Sequence, residues 1–231
     1  MTSDKIWIAS FDPGRDNFAF CVEEFDRKEL LGVKNIPTAQ RYNADGTTTS
    51  KMEKILEKVF ANGRIVLHKN LDLASNCNRG RTLDPEVFHN MVDALDEYMD
   101  YWSKCSAFII EEQMAFKNKF NKIATKLGQH CYSYFVCKFG RFKEVLTFPA
   151  YHKTQVLGAP KVKGKVRWKA MDKPARKKWS VAKAIEILTS RGEMRVLEKL
   201  TTARKKDDLA DVLTQLQAFK YLVYVDKKLQ K

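Results

Sequence analysis

The chain has 231 residues, with 42 Lys and Arg against 28 Asp and Glu, a formal charge of +14, and 44% hydrophobic residues. That is too apolar for a disordered tail and long enough for one sizeable core, so a single domain over residues 1–231 is expected. No stretch approaches the roughly 18–20 uncharged apolar residues of a membrane span. The opening MTSDKIWIAS carries neither a secretory h-region nor an Arg-rich transit pattern, so neither export nor a membrane partner is expected.

In chain order, IWIASF (Ile6 to Phe11) reads as a strand halted by Asp12-Pro13-Gly14, FAFCVE (Phe18 to Glu23) as a second, and LLGVKNI (Leu30 to Ile36) as a third. Links this short suit an antiparallel meander. Residues 38–84 read as an insertion. Within it, Ser50 and Glu53 form a capping box before Met52 to Phe60, and RIVLHKNLDL is a candidate further strand or hairpin. Asp84-Pro85 reads as an N-cap with proline at the first helical position, and Val87, Met91, Leu95, Tyr98 and Trp102 recur at helical spacing. AFIIE (Ala107 to Glu111) is a short buried strand ending in acid. A long helix is expected over Asn121 to Cys137, stopping near Gly140, and then a strand EVLTFP. Ser180 reads as the cap of VAKAIEILTSR. A last helix over Lys205 to Val225 sets Leu209, Val212, Leu213, Leu216 and Phe219 on its buried side. This order predicts a mixed α/β domain with helices on both faces of a sheet.

The charge is not evenly spread. Residues 151–206 hold 17 Lys and Arg against four acids, Asp172, Glu186, Glu193 and Glu198, which is nearly the whole surplus. A single-sign block matches a polyanion, because cationic side chains displace its condensed counterions. KVKGKVRWKAMDKPARKK has no clean amphipathic stripe, so nucleic acid is favoured over a membrane surface. The candidate DNA-binding residues are Lys153, Lys161, Lys163, Lys165, Arg167, Lys169, Arg176, Lys177, Lys178, Lys205 and Lys206. Trp168 and Trp179 interleave the block; they could stack on exposed bases or pack on the body.

Carboxylates gather at element ends. Asp12 follows the first strand, although a DPG sequence also satisfies an ordinary turn. Glu111 and Glu112 follow four apolar residues, where an unpaired buried acid is costly. Asp208 and Asp211 in KKDDLADVL are i and i+3 on one helix face, a destabilising pair unless a cation lies between them. The helix dipole offers Asp207 and Asp208 a plainer reason to be there, but does less for Asp211, one turn in. Hard oxygen donors without a His or Cys cluster suit Mg2+ or Mn2+. Two such ions about 4 Å apart can activate water on one side of a phosphate and stabilise the leaving oxygen on the other. Phosphodiester hydrolysis accounts for both the basic block and the acids.

An acid closing the first strand, an acid ending the fourth, IIEEQMAFKNKFNKIATKLGQ and KKDDLADVLTQLQAF together resemble the RNase H-like nucleases. Within them, the chain is similar to the RuvC-type Holliday junction resolvases, in the branch of poxviruses and related large DNA viruses beside the fungal mitochondrial enzymes. The resemblance implies a five-stranded mixed sheet of three antiparallel meander strands and two parallel strands. It implies Asp12, Glu111, Asp208 and Asp211 as catalytic residues and ligands of two Mg2+ (or Mn2+) ions, with no small-molecule cofactor. The Ile-Glu-any-Gln pattern of viral and fungal members selects Glu111, whereas the bacterial Ile-Glu-Gln pattern selects Glu112. It further implies a homodimer, paired through the helix Asn121 to Cys137, that nicks branched DNA at four-way junctions symmetrically. The site of action would be a viral factory in the cytoplasm, the nucleus, or, for a fungal-like enzyme, the mitochondrion.

Other readings are weaker. RNA–DNA hybrids or flaps are alternative substrates for the same chemistry, and a non-catalytic structure-specific DNA-binding protein is a third reading. GAPKVKGK has five residues between its glycines and Val166 where a phosphate loop needs Ser or Thr. An actin-like ATPase needs a second domain. The five cysteines contain no CxxC and read as reduced thiols rather than a zinc site, and the four histidines form no HExxH.

Overall fold

The computed structural model describes residues 4–77, 84–113, 121–164 and 166–229. Strands β1 (Lys5–Asp12) and β2 (Phe18–Asp26) are followed by α1 (Arg27–Leu31), α2 (Ser50–Ala61) and β3 (Arg64–Leu71). Then come α3 (Pro85–Glu97), α4 (Met99–Trp102), β4 (Cys105–Glu112), α5 (Lys122–Phe139) and β5 (Glu144–Pro149). The last third holds α6 (Tyr151–Val156), β6 (Lys161–Lys163), β7 (Trp168–Ala170), α7 (Lys173–Ser190), α8 (Met194–Thr202) and α9 (Lys206–Lys220). None of the described helices is long and apolar enough to cross a membrane.

The chain forms two compact units. The sheet unit comprises Ile6–Glu24 and Ile65–Ala150; the helical unit comprises the residues up to Lys5, Phe25–Arg64 and the chain from Tyr151.

The sheet unit carries the mixed five-stranded sheet expected, in the order β3-β2-β1-β4-β5. β1 and β5 both run parallel to β4. The five residues between β1 and β2 are too few for a parallel crossover and make that pair a hairpin. One sheet face packs on α3, α4 and α5 through an aromatic cluster centred on Phe11. Its ring lies 5.0 Å from Phe135 and 5.4 Å from Trp102, and Phe108 stacks on Phe135 at 3.9 Å. Trp102 donates its indole N–H to Leu95 O at 2.7 Å, so the polar edge of the buried ring is satisfied. Asp84 caps α3 by accepting from Glu86 N, with Pro85 leading the helix as the sequence predicts, and Asn121 caps α5 in the same way.

Three local expectations are corrected. LLGVKNI is not the third strand: Asp26 accepts from Glu29 N and starts α1, whose RKELL residues favour helix, and Gly32 ends it. The third strand is Arg64–Leu71, inside the stretch read as an insertion, where Ile65, Leu67 and His68 are buried. Ser50 does not cap α2; Thr49 does, accepting from Met52 N. Nor does Ser180 cap a helix. Asp172 caps α7 by accepting from Ala175 N, and Pro174 follows in the first turn, so the helix begins inside the basic block and Ser180 lies in its interior.

In the helical unit, α9 packs against α2, α6, α7 and α8. Apart from Asp211, every residue from Leu209 to Leu222 is buried, so the helix is enclosed all round instead of showing the single apolar side expected. Its polar residues must then be matched internally. Lys220 is fully buried and donates to Val59 O at 2.9 Å, Asn62 O at 2.6 Å and Gln217 Oε1 at 3.1 Å. The ammonium thereby satisfies carbonyls at the end of α2 that have no intrahelical partner. After α9 the chain continues through a single π-helical turn, Tyr221–Val225, to Asp226, which pairs with Arg41 at 2.7 Å. Lys220→Ala should leave these acceptors unpaired and lower unfolding free energy by about 2–4 kcal/mol, read from urea denaturation of the full chain.

Candidate active site

The sheet unit brings two of the expected acids together. Phe11 and Ile110 are partners in the parallel pairing of β1 with β4, so the next residues, Asp12 and Glu111, stand side by side at the carboxyl ends of adjacent strands. Alternation along a strand turns both away from the face that carries Phe11 and Ile110. Glu112 falls on the Phe11 face by strand alternation, and both glutamates line a cavity of about 230 Å³ with Gln113, Gly128, Gln129 and Thr147. Alternation points the two glutamates to opposite sides of the strand, although both border this cavity at its end. Glu111 shares a side of the sheet with Asp12, and Glu112 does not.

The helical unit gathers the other acids, and a set of countercharges that the sequence reading missed. Asp207 and Asp208 lie in the first turn of α9, and Asp211 follows one turn later. Lys177 of α7 forms a tight ion pair with Asp207 and lies 3.9 Å from Asp208. Asp211 is gripped by Lys153 Nζ at 3.2 Å and by the hydroxyl of Ser180, which donates at 2.7 Å. Ser180 is thus a positioning group, an arrangement that its mid-helix place makes available. Lys153 is only 6% exposed; instead of facing DNA, as expected, it is buried against Asp211.

Burial raises the Asp208 carboxyl above the usual range, the charge of Asp207 adds to this, Lys177 pulls the other way and Asp211 adds a further increment. Its Oδ2 is buried and lacks a hydrogen-bond partner among the described residues. Burial pushes Asp207 upward too, but the hydrogen bond and charge of Lys177 outweigh it and hold Asp207 below the ordinary value. Lys177 is raised in turn: burial opposes its charge, and the three aspartates more than compensate. Among the described residues, no three His, Cys, Asp or Glu side chains are grouped so as to hold a metal ion.

The remaining candidate DNA residues divide by exposure. Lys161, Lys163, Arg167, Lys169, Lys178, Lys205 and Lys206 are exposed, and Arg176 and Lys177 are half-buried. Lys165 lies outside the described residues, as does the stretch 114–120 within IIEEQMAFKNKFNKIATKLGQ.

No family model matches the chain. Over 249 residues it is 32% identical to a protein of invertebrate iridescent virus 6 named "Uncharacterized protein 170L", covering 97% of this chain and 92% of that one. The chain belongs to the 170L family. "Uncharacterized protein 97L" of invertebrate iridescent virus 3 is 29% identical over 222 residues, covering 92% of this chain and 98% of that protein. Among solved structures, the 170L-family chain is similar to the fowlpox virus Holliday junction resolvase at 12% identity and TM-score 0.48, covering 93% of this chain and 98% of that one. It is also similar to Thermus thermophilus RuvC at 15% identity and TM-score 0.49, covering 94% and 95% of the two chains.

The raised Asp208 carboxyl has a sign that can be tested. The folded state binds its proton more readily than the unfolded state, so the charged carboxylate opposes folding. That cost is absent below the ordinary carboxylate pKa of about 3.9 and grows as pH rises through the folded-state value. Asp208→Asn should therefore raise the melting temperature at pH 7 without divalent ions, and the gain should vanish as pH falls towards about 3.5 in a thermal-melt series.

Proposed function

We propose that this chain is a metal-dependent endonuclease that resolves four-way DNA junctions. The observation that carries the reading is Asp208: a carboxylate built into α9 beside Asp207 and Asp211, with one oxygen buried and unmatched among the described residues. A fold that retains so unfavourable a group fits a cation better than a purely structural role. The donor set, hard carboxylate oxygens without sulfur or imidazole, fits Mg2+ or Mn2+. Asp12 and Glu111, side by side at the strand ends, and Asp208 and Asp211 are the proposed ligands of two ions. Bound ions supply Lewis-acid polarisation of the scissile phosphate.

The protein's own groups have separate tasks. Ser180 and Lys153 hold the Asp211 carboxylate in one orientation, and Lys177 holds Asp207 and so limits the negative charge beside Asp208. The exposed cations of residues 161–206 bind the phosphates of the DNA arms. A homodimer, one subunit for each strand to be cut, is the proposed assembly, with α5 as its interface.

Asp12→Asn should abolish junction cleavage in magnesium while retaining junction binding in a gel-shift titration; equal cleavage by mutant and wild type would sink the site. Independently of activity, millimolar Mg2+ or Mn2+ should raise the wild-type melting temperature, and Asp208→Asn should remove most of that response. Sedimentation velocity of the full chain should show a dimer, and a monomer at all concentrations tested would overturn that assembly.

A further inference from the structure

The hairpin of β6 and β7 departs from ordinary packing. Its strands pair antiparallel, Lys161 with Ala170, Val162 with Lys169 and Lys163 with Trp168, yet all six residues are exposed. A two-stranded ribbon that covers no core is marginal by itself. This one is fixed at its root, where Lys161 N donates to Asp45 O at 2.6 Å and the Lys161 stem lies against Gly46. At the far end Gly164 N donates to Arg167 O at 3.1 Å; a Cβ on Gly164 would come within 2.7 Å of that same oxygen, so the turn requires glycine.

The described ribbon presents four cations, Lys161, Lys163, Arg167 and Lys169, and no acid. It also leaves apolar groups in solvent: Val162 is 57% exposed, Val166 96% and Trp168 40%. Exposed apolar side chains on an otherwise cationic arm suit a polyanion with apolar surface between its charges, which describes a nucleic-acid groove. The dimensions select which groove. Two strands about 4.8 Å apart, with side chains on both edges, fill a major groove of about 12 Å and are too broad for a minor groove of about 6 Å. Three residues per strand at about 3.3 Å each, plus the turn, project on the order of 10 Å, enough to reach the floor of a groove about 8.5 Å deep.

We propose that the β6–β7 ribbon is a reading arm that enters the major groove of a duplex arm, with its lysines and arginine on the flanking phosphates and Val166 and Trp168 against base edges. The choice of branched DNA as ligand rests on the nuclease reading; the contact itself is with duplex. The full chain, in EDTA so that DNA stays uncut, is titrated onto a four-way junction and onto linear duplex. Guanine N7 atoms, which lie in the major groove, are probed with dimethyl sulfate. Wild type should protect a run of guanines on a duplex arm. Val166→Asp and Gly164→Val, which leave every cation in place, should each abolish that protection and weaken binding at least about 10-fold, with unchanged circular dichroism and melting temperature. Lys163→Ala with Lys169→Ala should flatten the slope of log affinity against log salt by about 0.9 for each phosphate left unneutralised. Unchanged protection and affinity in the Val166 and Gly164 variants overturn the arm, even if the junction is bound and cut. Ribbon-dependent protection of linear duplex, without junction cleavage in magnesium, supports the arm and overturns the resolvase reading. Absence of binding to either DNA overturns both.

Discussion

Parallel pairing between β1 and β4 is the constraint on which the sheet unit depends. In a parallel pair, directly opposed residues place their side chains on the same face, so one register decides two things at once. It stacks Ala9, Phe11, Phe108 and Ile110 into the aromatic core, and it delivers Asp12 and Glu111 to the other face at the point where both strands stop. A slip of one residue would turn a carboxylate towards Phe135 and Trp102 and take phenylalanine out of the aromatic cluster. The hydrophobic core therefore enforces the alignment of the acids; the acids themselves do not have to supply it.

In the helical unit the balance is electrostatic. Three aspartates within five residues of α9 repel one another, and the helix is held by partners from elsewhere in the chain: Lys177 on Asp207, Lys153 and Ser180 on Asp211. Asp208 is left with the least compensation. The same helix also contains Lys220, a buried charge with full hydrogen bonding. The contrast is informative, because α9 can satisfy a buried ion where its role is structural. Local violation of the rules for burying charge, inside an element that obeys them elsewhere, is the pattern of a site that gives up stability for function.

Much of this was legible in the sequence because it is written within one helical turn. Asp84-Pro85 announces its helix through a side chain that bonds to a backbone N–H two residues on, and AFIIE is apolar enough to be a buried strand in any context. The single-sign block at residues 151–206 and the acids at element ends are likewise properties of the chain as written. The third strand misled for the same local reason: LLGVKNI has strand-like residues, but Asp26 captures the next turn as helix, and pairing passed to Arg64–Leu71, within the segment read as a further strand or hairpin.

The sequence by itself determined which residue types the chain could offer a phosphate or a cation, and its resemblance to the viral and fungal pattern selected Glu111 among the acids at the end of that strand. Only the tertiary structure set Glu111 beside Asp12 through the pairing of two distant strands, buried Lys153 on Asp211 instead of leaving it in solvent, and made Ser180 orient a carboxylate instead of capping a helix. The physical reason is range. Caps and periodicity act over three or four residues, whereas strand register and ion pairing join positions about 30 to 100 apart, and their energies exist only once the chain has closed those loops.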